Sequence, residues 1–192
     1  MVQFAFERQK LDGVILITSF FSDDNRGSFI KHYERNVFKK NGIDFSNSET
    51  FITHSVKNVI RGLHFQTNRP QAKLVSVICG KVFDVVVDLR KDSPTYRKWE
   101  GYYLSEDNRN SLYIPRGFAH GFLSLGDTNI VQYACDGDYD KASDTGILYY
   151  DKDIGIVWPV SDVQNGVIVS EKDKILMSFE CFDRDNPFKM IK

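Results

Sequence analysis

The 192-residue chain carries 25 basic and 26 acidic side chains, 42% hydrophobic residues and three cysteines. Its near-neutral balance excludes the long-range field that draws a protein to nucleic acid or to an anionic membrane. Cys79, Cys135 and Cys181 are odd in number and widely spaced, which excludes a disulfide framework and a thiolate zinc site and fits a reducing compartment.

Charges interrupt the apolar N-terminus "MVQFAFERQKLDGVILIT", and no run of about 18 uninterrupted apolar residues occurs. The expectation is a cytoplasmic chain without secretion or membrane signals, folded as one globular domain over residues 1–192. Fifteen Phe and nine Tyr, with Val and Ile in short runs, favour strands, because branched and aromatic side chains suit a pleated, half-buried surface. "YERNVFKKNG" lacks strand alternation and ends in Gly42, so a short helix is predicted at 33–41. A β-barrel core is predicted over 50–135. In it, "KLVSVICGKVFDVVVDLRKDSP" reads as two long strands forming a hairpin at Gly80–Lys81, followed by strands in "KWEGYYLS", "SLYIP", "HGFLSL" and "NIVQYAC". A Ser-x-x-Asp helix start at Ser170 predicts a C-terminal helix packed on the barrel.

In "NVIRGLHFQ" a period of two places Gly62, His64 and Gln66 on one face of a strand. If that face lines the barrel lumen, His64 is a usable general base near neutral pH. The strand alone is equally compatible with a core histidine satisfied by one hydrogen bond. Arg61 points away from His64 in an ideal strand, and both can meet one ligand only if the strand bulges, which Gly62 permits. His120 in "IPRGFAHGF" is likewise flanked by small residues. A metal is not expected, because His64-Phe65-Gln66 has glutamine where a His-x-His ligand pair would need histidine, and His32 and His54 fall outside any ligand spacing. Lys73 reads either as a lysine snorkelling at a strand end or as an oxyanion stabiliser. Tyr133 and Tyr139 read either as packing aromatics or as a proton donor and a stacking ring. No glycine-rich nucleotide loop is present, so a nucleotide must be held by arginines and aromatics.

The ordered blocks "DDNRGSF", "VIRGLHFQ", "PQAKLVSVICGKVFDVVVDLRKDSPT", "LYIPRGFAHGF", "VQY", "DY", "DIGIVWP" and "SEKD" span nearly the whole chain, which through them resembles the dTDP-4-dehydrorhamnose 3,5-epimerase family. The resemblance implies a mainly β, cupin-type double-stranded β-helix (jelly-roll) barrel with a few short peripheral helices. It implies a homodimer with no cofactor and no metal, acting on a nucleotide-linked 4-keto-6-deoxy sugar. It matches His64 to the base, Asp173 to the carboxylate behind it and Tyr133 to the acid. Lys73 matches a position near the C4 oxygen, and His120 another sugar contact, with Asp84 behind it. Arg26 and Arg61 match contacts to the nucleotide or its diphosphate, Tyr139 a ring stacking on the base, and Asp144 and Lys172 further substrate contacts. Arg26 is matched to a position reaching the neighbouring subunit.

The chain departs from the family at Lys31, at Ser76, in "TFITHS" over residues 50–55 and at Asp138, all on the nucleotide side. Those departures keep CDP- and GDP-linked 4-keto sugars, heptoses included, as alternatives to a dTDP sugar, and a 3,4-ketoisomerase on the same barrel as an alternative outcome.

Overall fold

The computed structural model describes residues 1–163 and 165–190. Four short strands open the chain: β1 (Ala5–Arg8), β2 (Ile15–Thr18), β3 (Phe20–Asp24) and β4 (Gly27–Lys31), followed by α1 (Arg35–Lys40). Then come β5 (Glu49–Val56), β6 (Ile60–Gln66), β7 (Ala72–Cys79), β8 (Lys81–Asp88), β9 (Trp99–Ser105), β10 (Asn110–Ile114), β11 (Phe118–Ser124) and β12 (Thr128–Asp136). β13 (Asp144–Gly146), α2 (Glu171–Lys174) and α3 (Phe179–Arg184) complete it.

Two antiparallel sheets, ordered β1-β2-β10-β7-β12-β5 and β13-β6-β11-β8-β9, face each other as a jelly roll, while β3 and β4 pair as a separate hairpin. Val75, Val77 and Val131 from the larger sheet meet Val82, Val86, Leu104 and Phe122 from the smaller one to fill the closed part of the barrel. α1 lays Phe38 over the outside of the larger sheet, against Ile15, Ile17 and Leu74. The C-terminal stretch covers the smaller sheet with Trp158, Phe179, Phe182 and Phe188.

This double covering explains one departure from the sequence reading. β7 and β8 form no hairpin: β7 pairs with β10 and β12, β8 with β9 and β11. Between them Gly80, at φ +81°, turns the chain from one sheet to the other, and a Cβ there would lie 2.1 Å from the Thr128 carbonyl oxygen. β8 is buried almost end to end, so its apolar run carries no alternation to reveal which neighbour it pairs with.

The predicted C-terminal helix is likewise two helices. Ser170 caps α2 by accepting from the Asp173 N–H, and Ser178 caps α3 by accepting from the Cys181 N–H. The residues between are held by a parallel bridge, Met177 to Ile147, which takes the backbone out of helical pairing. The short helix at Arg35–Lys40 and the strand-rich core are as expected, whereas the four strands at the N-terminus were not anticipated.

Candidate active site

A cavity of about 540 Å³ opens between the two sheets. Its geometry begins at the seam between β6 and β11. His64 and His120 are directly opposed across that ladder, and the register then shifts before Arg61 meets Phe122. Gly62 sits in the irregularity at φ +111°, where a Cβ would lie 2.7 Å from both Gly121 Cα and the His120 carbonyl oxygen. Only a glycine fits so close an approach at that φ. The irregularity replaces the period of two by a step of three: Ile60 and Leu63 both join the outer core, while Arg61 and His64 both line the cavity, whose wall Ile60 also touches.

His64 Nε2 lies 2.8 Å from Asp173 Oδ1, and Asp173 Oδ2 accepts from the Gly62 N–H at 3.1 Å. Burial alone would raise the Asp173 carboxyl; the hydrogen bond and charge of His64, with the Gly62 and Ser170 contacts, bring it below its ordinary value. An ionised Asp173 only accepts, so Nε2–H donates and Nδ1 of His64 keeps a lone pair. The serine cap of α2 is what points Asp173 at β6, because it fixes the first turn of a four-residue helix.

His120 Nε2 lies 2.8 Å from Asp84 Oδ2, deep in the lumen, and Asp84 Oδ1 is buried without a partner. Burial raises the Asp84 carboxyl, with His120 and Lys73 acting against it. The Lys73 side chain, on the facing sheet, forms no hydrogen bond or ion pair among the described residues. Burial pulls its ammonium below the ordinary range, opposed by Cys135, Asp144, Asp84 and Glu49.

Tyr133 enters from β12. Its phenol is pushed well above the ordinary value by burial and by Asp84, with Arg61 opposing. Its ring stacks on Phe51 at 4.7 Å and 11°, and meets His120 edge-on at 5.7 Å and 69°.

At the mouth, Arg61 donates from Nε to Ser55 Oγ and from Nη2 to the His54 carbonyl, both at 3.0 Å. Lys172 lines the cavity and pairs with Asp144 at 2.7 Å, and the Tyr139 hydroxyl donates to the same Asp144 oxygen at 3.3 Å. Tyr139 is 54% exposed, so it and Asp144 stand at the rim rather than in the lining.

Arg26 is not brought to this cavity. At the tip of the β3–β4 hairpin it closes on Asp24 through Nε at 3.0 Å and Nη2 at 2.6 Å, with its side chain 85% exposed. The short hairpin satisfies the guanidinium locally, so within one chain Arg26 makes no contact with the other candidate residues.

Gln66 holds loops together: its Nε2 donates to the carbonyls of Arg69 and Asp138, and its Oε1 accepts from the Asp140 N–H. Among the described residues no group of three or more His, Cys, Asp or Glu side chains is placed to hold a metal ion. Sequence reasoning missed Phe51, Thr53, Val59, Ile168 and Val169 in the lining. Alternation in "ETFITHSV" could have put Phe51, Thr53 and Ser55 on one face, but nothing in it says which face meets the lumen.

A sequence profile described as dTDP-4-dehydrorhamnose 3,5-epimerase matches residues 8–180. The dTDP-4-dehydrorhamnose 3,5-epimerase of Methanothermobacter thermautotrophicus is 47% identical over 174 residues, 91% of this chain and 94% of that protein. The Escherichia coli enzyme of that name is 39% identical, covering 90% of this chain and 93% of its own. Among solved structures, the Legionella pneumophila dTDP-6-deoxy-D-glucose-3,5-epimerase in complex with dTDP-4-keto-L-rhamnose superposes with a TM-score of 0.93 at 32% identity, covering 99% of this chain and all of that one. The Bacillus anthracis dTDP-4-dehydrorhamnose 3,5-epimerase with TDP and pyrophosphate bound gives 0.86 at 39% identity, covering 92% and 99%.

Proposed function

Because the chain belongs to the dTDP-4-dehydrorhamnose 3,5-epimerase family, we propose that it inverts C3 and C5 of a dTDP-linked 4-keto-6-deoxy sugar with His64 as base and Tyr133 as acid. The protein is an isomerase acting on a nucleotide sugar, and the chemistry follows from the ketone. A C4 carbonyl acidifies the hydrogens on its two neighbouring carbons, so a base can remove one and leave an enolate. Return of a proton from the opposite face of the ring inverts that carbon.

One observation carries this reading: His64, backed by Asp173, and Tyr133 line one cavity but come from opposite sheets. A sugar lying between the sheets has a base on one side and an acid on the other. His64 Nδ1 takes the C–H proton, and Asp173 stabilises the imidazolium that results. Lys73 and His120 face the developing charge on the C4 oxygen, where a buried cation or N–H is effective because no water competes. Tyr133 delivers its phenolic proton, and the cycle closes when the imidazolium releases one proton and the phenolate takes one up. The ketone is the only electron sink required, so the reaction uses no cofactor and no metal.

Arg61 and Lys172 at the mouth suit a diphosphate, and Tyr139 at the rim a base. Ile52, Val56 and Ile78 leave an apolar stretch exposed on the larger sheet, and Phe29 another on the hairpin. These support a homodimer in which Arg26 serves the neighbouring subunit. The whole chain acts as one cytoplasmic catalytic domain.

The test is incubation with dTDP-4-keto-6-deoxyglucose in deuterated water, with CDP- and GDP-linked analogues in parallel, read by proton NMR. Deuterium enters the inverted carbons with the wild-type protein, and His64→Ala loses at least 100-fold in exchange rate. Wild-type exchange in His64→Ala removes His64 as base. Migration of the carbonyl instead of inversion replaces epimerisation by ketoisomerisation.

A further inference from the structure

We propose that Phe51 is a positioning residue that clamps the Tyr133 ring and so decides whether the enolate is reprotonated with inversion. The proposal rests on the acid–base reading above and deepens it. Phe51 and Tyr133 are directly opposed partners in the β5–β12 ladder, with both side chains on the cavity side. Their rings lie parallel at 4.7 Å, and the edge-on contact with His120 at 5.7 Å bounds Tyr133 on another side.

The Tyr133 hydroxyl forms no hydrogen bond among the described residues, in contrast to Tyr33, Tyr96, Tyr102 and Tyr139, whose hydroxyls all donate to an oxygen. Nothing polar among the described residues therefore fixes the direction of the phenol, which is held by core packing together with the Phe51 ring and the His120 edge. Phe51 is 43% exposed on an edge strand at the mouth, where it adds little to the core. What it does supply there is a flat wall against which the acid is aimed.

The consequence is a division between two steps. Proton removal depends on His64, on the opposite sheet from Phe51, and on Asp173 behind it. Inversion depends on the phenol being in place during the lifetime of the enolate, and a misplacement of about 1 Å costs on the order of 100-fold in rate. With Tyr133 unclamped, the proton taken by His64 exchanges with solvent and a deuteron returns to the same face of the same carbon. Exchange then continues without inversion.

The experiment compares wild type, Phe51→Ala and Phe51→Tyr in deuterated water, following deuterium entry and stereochemical inversion separately by NMR. In Phe51→Ala inversion falls at least 10-fold more than exchange, and Phe51→Tyr, which keeps a flat ring, returns the ratio to within threefold of wild type. An equal fall in both rates, or an unchanged ratio, overturns the proposal, since a merely structural role lowers both together. A second readout needs no turnover: 3-fluorotyrosine placed at position 133 gives the fluorine spectrum of a restricted ring in the wild type and in Phe51→Tyr, and of an averaging ring in Phe51→Ala. Identical spectra in all three also overturn it. If the wild type exchanges no deuterium with any of the sugars, the acid–base reading falls, while the fluorine spectra still decide whether Phe51 is the clamp.

Discussion

Asp173→Asn separates the charge behind His64 from the space it fills. In the wild type the carboxylate accepts from His64 on one oxygen and from the Gly62 N–H on the other. Asparagine has one acceptor for these two donors, and its NH2 faces the donor left over. When His64 becomes an imidazolium, charges about 4 Å apart attract by roughly 4 kcal/mol at an effective dielectric constant of 20. The His64 side chain is 31% exposed, so solvent screening reduces that gain to about 2–3 kcal/mol. At about 1.36 kcal/mol per tenfold, kcat falls by roughly 30- to 160-fold. KM stays within threefold, because the charge acts on the base after substrate is bound. The assay is steady-state inversion followed by NMR over a range of substrate concentrations. An Asp173→Asn protein with kcat within threefold of wild type refutes the role of the charge.

The same variant carries a stability signature. Asp173 has its folded-state value below the ordinary 3.8, so its contribution is fully present above that value and is lost as pH falls through the folded one. The gap in Tm between wild type and Asp173→Asn is therefore widest at neutral pH and closes below the ordinary carboxylate range.

Three further substitutions probe the frame around the site. Asp88→Asn strips the buried carboxylate that accepts from Arg90, Ser93 and Thr95, leaving the buried guanidinium with only the long contact to half-exposed Asp12 at 3.9 Å as its ion pair, a loss of about 3–5 kcal/mol; Tm drops by roughly 6–20 °C in thermal denaturation, and a drop under about 3 °C contradicts the account. Gly62→Ala puts a Cβ against Gly121 and the His120 carbonyl at a φ of +111°, so stability falls by roughly 1–3 kcal/mol in urea titration, with a larger loss in activity because Arg61 and His64 are both displaced. Gln66→Ala removes three loop-tying hydrogen bonds worth about 1 kcal/mol each, lowering the urea midpoint and raising KM through the loops that carry the rim; unchanged stability counts against that role.

The parts of the fold legible in the sequence were those set by local chemistry. Gly42 ends the first helix, Ser170 caps the helix that carries Asp173, and Gly62 permits the bulge that turns Arg61 and His64 to one side. Pairing was not legible where both faces of a strand are covered, and the supposed hairpin at Gly80 is the clearest instance. β1 was hidden because Glu7 and Arg8 lie on an exposed edge strand and break its apolar alternation. The contact between His64 and Asp173 spans 109 positions; no periodicity reaches that far, and only the family resemblance suggested it. Phe51 was passed over because an edge strand with one exposed face gives no sign of which face is the lumen.

The corner at Gly80 also governs the order in which the site can come into being. Arg61, His64, Lys73 and Asp84 all lie within one short run of chain, yet the crossover sends β7 and β8 to opposite walls, each waiting for partners made later. β7 is sealed only by β10 and β12, β8 only by β9 and β11, and such distant pairings form slowly because the loops must close first. During synthesis β8 has both of its neighbours once residue 124 has emerged, whereas β7 keeps one edge open until β12 ends at residue 136, a window in which that edge is open to association with other chains. A truncation just short of β12 leaves not a smaller enzyme but a sheet in which β7 has one open edge and β5 has lost its only neighbour.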